Sequence, residues 1–385
     1  MTPEPSPDLP PVAVHLQPGR LEALRDRIRR EVDAGLLPSC QAAVGLDGRV
    51  VWTEAFGDAT PSSRYVVFSC TKALVAGVMW QLFAEGACSP DDRVVEHFPE
   101  FGANGKEAVT IRHLLTHTGG FPAAPLGPRR WATRDSRREV MAGWRLTWEP
   151  GTRFEYHPTA GHWVLGELIE RLDGRPVGDA IAARITRPLG LADTQVGGAG
   201  AAERVAHLVA VGSFPSPADL QAAFGVDTFD EGEVTPEALL GFDRPEVLEL
   251  GVPGGGGVST AADLARYYQA LLHDPAGLWT PAWLAEGTAV AQTTLPDPLL
   301  GIPSFRTLGL ILAGDDGRSA LRGMGHTVSP RAFGHNGAGG QIAWADPETG
   351  LSFAYLTNGI DRDFLRQARR TSGIASRAAV LLTAD

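Results

Sequence analysis

Apolar residues at Leu21, Leu24, Ile28 and Val32 recur at helical spacing, so the pattern predicts a first helix over about 18–34. Two strand-like runs follow, 41–46 and 49–55, joined by Asp47-Gly48, a two-residue hairpin signal. An apolar stretch through Tyr65, Val66, Val67 and Phe68 feeds a second helix from about 69 to 85, stopped by Gly86. From there to about residue 300 the pattern is helical segments broken by Gly and Pro, such as 110–117 and the amphipathic 161–172. Stretches 121–138 and 200–251, rich in Pro, Gly or acid, read as irregular and are expected to rim a cleft. The strand pattern returns at 307–313, 340–345 and 351–357, with Asp346-Pro347-Glu348-Thr349-Gly350 as a turn, before a closing helix over about 362–382. No internal repeat is visible.

Strands near both chain ends, with helices between, are most economically one antiparallel sheet flanked by the N- and C-terminal helices. The fold class expected is therefore α+β. A mixed lobe combines 18–85 and 301–385, a mostly helical lobe covers 86–300, and a disordered tail covers 1–17. A site is expected in the crevice between lobes.

The chain has 385 residues, enough for more than one ordinary core, with 43% hydrophobic and 21% charged positions. Its net charge of −11 argues against a nucleic-acid partner. Cys40, Cys70 and Cys88 are odd in number and lack metal-type spacing, so free thiols in a reducing compartment are expected. Residues 1–11 show no secretory pattern, and no apolar run approaches the ~20 residues that span a bilayer. A cytoplasmic protein without a cofactor is the simplest expectation; the oligomeric state is not readable.

Only Lys72 and Lys106 are lysines among the 34 basic side chains, and Lys72 lies three residues after Ser69. Arginine stays protonated and cannot serve as a base, whereas a buried lysine can lose its proton near neutral pH. Residues three apart share a helix face, so the amine can reach the Ser69 hydroxyl. The bland reading is a solvated helix face, since Ser-x-x-Lys has only two fixed positions. Against it, the serine falls at a helix start, where backbone N–H groups can hold an oxyanion, and its flanks are apolar.

Other pieces are weaker singly. Tyr156 sits in a loop before a helix, where a tyrosine is commonly a packed ring. His335-Asn336-Gly337-Ala338-Gly339-Gly340 precedes a strand, and its small residues permit close backbone approach. The run Gly254 to Gly257 lacks the Gly-Lys-Ser/Thr ending of a phosphate loop, and Ser259 or Thr260 better caps a helix from Ala261. His113 and His117 have a ligand spacing, but Leu114, Leu115 and Thr116 between them make no His-Glu-x-x-His pattern. A structural role is favoured and no metal is expected. A Gly-x-Ser-x-Gly elbow does not occur.

Taken in order, Ser69-Cys70-Thr71-Lys72, His113 to Gly120, Tyr156, Gly254 to Thr260 and His335 to Gly340 resemble the serine β-lactamase and penicillin-binding-protein superfamily. The likeness covers about 21–382 and is strongest to the class C β-lactamase-like branch, which includes family VIII carboxylesterases. The resemblance implies a β-lactamase/transpeptidase-like α+β fold and acyl transfer through an acyl-enzyme. It implies Ser69 as nucleophile, Lys72 and Tyr156 as coupled proton carriers, and the amides of Ser69 and Ala338 as an oxyanion hole. His335, Asn336, Gly337 and His157 are expected to bind substrate. Two departures matter. Pro158 stands where β-lactam-active members carry an amide-binding asparagine, and His335 where they carry lysine. Both favour a carboxylesterase on small to medium acyl esters over a β-lactamase or D-amino-acid peptidase. A catalytically silent binding module on this fold is the third reading, and joint retention of Ser69, Lys72 and Tyr156 speaks against it.

Overall fold

The computed structural model describes residues 16–228 and 234–382. Helix α1 (Pro18–Asp33) leads into strands β1 (Ser39–Leu46) and β2 (Arg49–Gly57). Asp47 and Gly48 both take positive φ, 52° and 76°, the pairing that lets a two-residue turn follow the strand twist. The middle of the chain supplies α2 (Thr71–Ala84), α3 (Ile111–Leu115), α4 (Ala160–Leu172) and α5 (Ala261–His273). Strands β3 (Ile311–Leu312), β4 (Phe333–Gly334), β5 (Ile342–Asp346) and β6 (Leu351–Thr357) follow, and α6 (Phe364–Ala378) closes the chain.

The six strands form one antiparallel sheet in the order β2-β1-β6-β5-β4-β3. Period-two alternation divides its residues between two cores. Val44, Trp344, Phe353 and Tyr355 face α1 and α6, packing with Leu24, Ile28 and Ile374. The opposite face presents small residues, Ala43, Ala345 and Ala354, against α5 and the helices beyond. The fold is thus α+β, with terminal helices on one sheet face and a mostly helical lobe on the other. Helix α2 is buried along its whole length, from Thr71 to Phe83, because it is apolar all round and runs through the centre of that lobe.

Several expectations change. Strand 307–313 contracts to Ile311–Leu312. Thr307 donates to the Gly287 carbonyl at 2.6 Å, its hydroxyl accepts from the Leu310 amide at 3.0 Å, and the chain turns there onto α2. Stretch 200–251, read as irregular, holds helices Pro217–Phe224, Pro236–Leu240 and Pro245–Leu250. Ser216 and Thr235 cap the first two ahead of a proline, a start signal the coarse pattern hides. Helix Arg134–Gly143 likewise begins inside 121–138. Helix α5, placed by sequence in the helical lobe, packs across the sheet. Of the tail expected at 1–17, residues 1–15 lie outside the described residues. Leu16 and Gln17 pair with the chain end through a bridge to Leu382 and a 2.9 Å bond to the Leu381 carbonyl. The cap expected at Thr260 is present, its hydroxyl accepting from the Asp263 amide at 3.2 Å. Thr260→Ala is expected to lower the unfolding free energy by about 1 kcal/mol in urea titration; an unchanged midpoint would show the cap to be idle.

Candidate active site

Ser69 stands in a tight turn between a short strand and α2. Tyr65–Val66 pairs antiparallel with Gly257–Ser259, and the Val67 amide bonds the Gly257 carbonyl at 2.9 Å. Phe68 then takes a φ of +44°, a left-handed conformation that costs an ordinary residue about 1–2 kcal/mol. Packing offsets this: the Phe68 ring is buried against Phe242 at 5.6 Å. Thr71 donates to the Phe68 carbonyl at 2.6 Å and accepts from the Gly257 amide at 3.0 Å. The glycine run after Gly254 therefore braces the Ser69 turn.

Lys72 is wholly buried. Its Nζ lies 3.1 Å from Ser69 Oγ, 2.7 Å from the Pro158 carbonyl and 2.6 Å from the Gly254 carbonyl. A neutral amine has two N–H bonds and one lone pair. The two carbonyls can only accept, so in the neutral amine they take both hydrogens and the lone pair is left for the serine, whereas an ammonium would donate to all three oxygens. Burial, then the charge of Arg306, pushes the Lys72 amine down to about 7. Tyr156 donates from its hydroxyl to Ser69 Oγ at 2.8 Å, and the Lys72 nitrogen lies 5.2 Å from the centre of its ring. Burial pushes the Tyr156 phenol up to about 12, so it is protonated at neutral pH. Ser69, Lys72 and Tyr156, separated by up to 87 positions, meet at one hydroxyl.

The segment after α3 fixes Tyr156. His117, at a φ of +59°, accepts through Nδ1 from the His157 amide at 3.2 Å and packs its ring, tilted by 40°, 4.5 Å from that of Tyr156. The His117 carbonyl accepts from the Glu155 amide at 3.2 Å. Gly120 has a φ of +87°, and a side chain there would meet the Trp148 carbonyl at 2.4 Å. His113 points elsewhere: its Nδ1 accepts from the Thr110 amide at 3.2 Å in a capping box. No cluster of metal-ligating side chains occurs among the described residues.

The His335 segment lies beside the serine turn. The Cys70 thiol donates to the His335 carbonyl at 3.1 Å. A side chain on Gly337 would come within 2.3 Å of the Val67 carbonyl, so only glycine lets the two backbones approach so closely. The Ala338–Gly340 corner is held because the Gln341 side chain bonds the Thr357 backbone twice, at 2.8 and 2.9 Å. His335 Nδ1 is 2.8 Å from the Asn336 carbonyl and must donate to it, which leaves Nε2 an unprotonated acceptor, buried and unpartnered. Burial, Lys72 and Arg306 together hold its imidazole well below the ordinary value.

One expected binding residue is corrected. His157 is buried with both ring nitrogens engaged, Nδ1 with the Glu155 carbonyl at 2.6 Å and Nε2 with the Phe121 amide at 3.2 Å. Its ring packs against Phe121 and fastens the Tyr156 loop, so it has no free atom for substrate. The Asn336 amide donates to the Arg322 carbonyl at 3.0 Å and braces a turn. Sequence reading also missed residues. His162 is wholly buried against His117 with neither ring nitrogen partnered. Arg306 is buried over Phe154 and Tyr156. Neither lies in a local motif, and only their packing reveals them.

The family described as Beta-lactamase matches residues 24–375. The chain belongs to this family. It is 28% identical over 82% of its length to Esterase/beta-lactamase LipL of Mycobacterium tuberculosis, covering 72% of that protein. It is 25% identical to a putative D-alanyl-D-alanine carboxypeptidase of Escherichia coli K12, over 88% of this chain and 82% of that one. The crystal structure of a penicillin-binding-protein homologue from Caulobacter crescentus superposes with a TM-score of 0.76 at 27% identity, covering 94% of this chain and 98% of that one. The protein is a serine hydrolase of the Beta-lactamase family. Among the described residues no helix is long and apolar enough to cross a membrane.

The buried amine makes stability depend on pH. Burial holds the Lys72 amine down at about 7 in the folded chain, against its ordinary value of 10.5 when unfolded. Between those values the unfolded chain binds more protons, so this group makes stability rise with pH across that window. A Lys72→Met variant is expected to be the more stable protein at pH 7, with its advantage shrinking by pH ~9 in thermal melts. Parallel melting curves across that range would place Lys72 in a solvated site.

Proposed function

We propose that the protein is a carboxylesterase acting on small to medium acyl esters through a Ser69 acyl-enzyme. The observation that carries this reading is the convergence of the Lys72 nitrogen, at 3.1 Å, and the Tyr156 hydroxyl, at 2.8 Å, on the Ser69 hydroxyl. As Ser69 Oγ attacks the ester carbonyl, its proton passes to Lys72. Tyr156, protonated and in contact with Ser69, delivers a proton to the departing alcohol and draws one back from Lys72. Water then enters along the reverse route and releases the acid. The amides of Ser69 and Ala338 would receive the charge on the carbonyl oxygen.

The preference for esters rests on what borders the nucleophile. Pro158 offers no side-chain donor to an amide, and its carbonyl is turned inward to Lys72. His335 presents a lone pair where an anionic β-lactam would need a cation. The name of the M. tuberculosis relative joins esterase with β-lactamase, and that of the E. coli relative points to a peptidase. Those names keep the β-lactamase and peptidase reading as the alternative. Three buried free thiols, each pushed up to about 12 by burial, fit a cytoplasmic setting.

Purified protein is expected to hydrolyse p-nitrophenyl acetate or butyrate, with Ser69→Ala inactive and nitrocefin a poorer substrate. Equal turnover by Ser69→Ala would remove the nucleophile, and nitrocefin turnover matching the ester would reverse the substrate preference. Lys72→Arg keeps the charge but supplies no base, so less than about a tenth of kcat/KM should remain. Tyr156→Phe should lose about 10²–10⁴-fold in kcat; a loss below threefold would reduce the ring to packing.

A further inference from the structure

The guanidinium of Arg306 is a buried charge that the steps above leave unused. Arg306 closes a hairpin, its amide bonding the Thr293 carbonyl at 3.0 Å and its carbonyl the Gln292 amide at 2.7 Å. The residue is 8% exposed, and neither Nε nor Nη1 has a hydrogen-bond partner. The neighbouring carboxylates are committed elsewhere. Asp316 pairs with Arg322 at 2.5 Å, and Asp297 accepts from the Leu299 and Leu300 amides at the hairpin tip. The charge of Asp297 acts on Arg306 without forming an ion pair, and a buried cation so weakly compensated is costly.

Its neighbours indicate the use. The guanidinium carbon lies 5.2 Å from the Phe154 ring centre and 5.4 Å from that of Tyr156, the ring whose hydroxyl bonds Ser69. We propose that Arg306 is a positioning residue whose fixed charge, held over the same Tyr156 ring that the Lys72 nitrogen touches, opposes a second cation there and steadies the Tyr156 oxygen as it gives up its proton. This rests on the roles of Ser69, Lys72 and Tyr156 set out above. Guanidinium does not deprotonate in proteins, so its charge persists at any working pH. In a low-dielectric site such a charge opposes a second cation and favours a nearby anion.

The directions agree. After burial, Arg306 is the next cause lowering Lys72, and it also pulls Tyr156 down against the upward push of burial. The other titratable groups around the pair are neutral at working pH. Cys70 is pushed up to about 12 by burial and stays a thiol. His157, on the Tyr156 loop, is lowered to about 4. His117 after α3, His162 on α4 and His335 beside β4 are all held well below the ordinary imidazole value, burial being the largest cause. Arg306 thereby supplies a fixed charge that His335 does not.

The test compares Arg306→Met and Arg306→Gln with the parent enzyme from about pH 6 to 9, reading kcat/KM for p-nitrophenyl butyrate and the rate of Ser69 labelling by an uncharged fluorophosphonate. Both variants should move the acid limb of both profiles upward by about one pH unit, so that the loss at pH 7 exceeds that at pH 9 by about fivefold. Circular dichroism screens folding, and the second variant carries the comparison should the first not fold. Limbs that coincide with the parent's overturn the proposal. So does a loss confined to carboxylate-bearing esters with the limb unmoved, which would make Arg306 a substrate anchor. Activity surviving Ser69→Ala would instead sink the serine mechanism itself, so the two failures are distinguishable.

Discussion

Removing one ammonium group from water, and giving it two carbonyls in place of a carboxylate, is the constraint around which this molecule is arranged. Carbonyls of Pro158 and Gly254 hydrogen-bond Lys72 without neutralising it, and the surrounding protein keeps water away. A carboxylate in their place would hold the amine protonated; bulk water would do the same. What remains is an amine near its titration point, 3.1 Å from a hydroxyl that also accepts from Tyr156.

Much of the scaffold serves that contact. Helix α2 is apolar on every side because it carries Lys72 through the helical core, while the small residues of β1, β5 and β6 let helix α5 settle on the sheet. The strained Phe68 lifts Ser69 at the helix start, and the glycine segments 254–257 and 337–340 approach that turn from either side. His117 and His157, neutral and bonded to backbone, fasten the Tyr156 loop. His117 thus has the structural role that its sequence favours, and His157, expected to bind substrate, is a second rivet for the tyrosine.

Legibility in the sequence followed the range of the forces involved. Helix α1, the Asp47-Gly48 hairpin, β6 and the Thr260 cap were readable because each follows from local periodicity or turn chemistry. The strand expected over 307–313 failed because a tertiary contact of Thr307 with Gly287 overrides the apolar run. Ser69 and Lys72 stood out by spacing and by the scarcity of lysine. Tyr156 needed the family likeness, since nothing local separates it from a packed ring. His157 was misassigned because motif adjacency says nothing about where a side chain turns. Arg306 was invisible: its significance lies in the absence of a partner, a property of packing alone.

With only two lysines in the chain, the amine can be watched directly. Protein carrying ¹³C at the lysine ε-carbon gives two resonances, assigned by the loss of one in Lys72→Met. The Lys72 resonance should titrate at about 7 and that of Lys106 at about 8. A Lys72 midpoint near the ordinary lysine value of 10.5 would mean that the amine is an ammonium at neutral pH and cannot take the proton of Ser69.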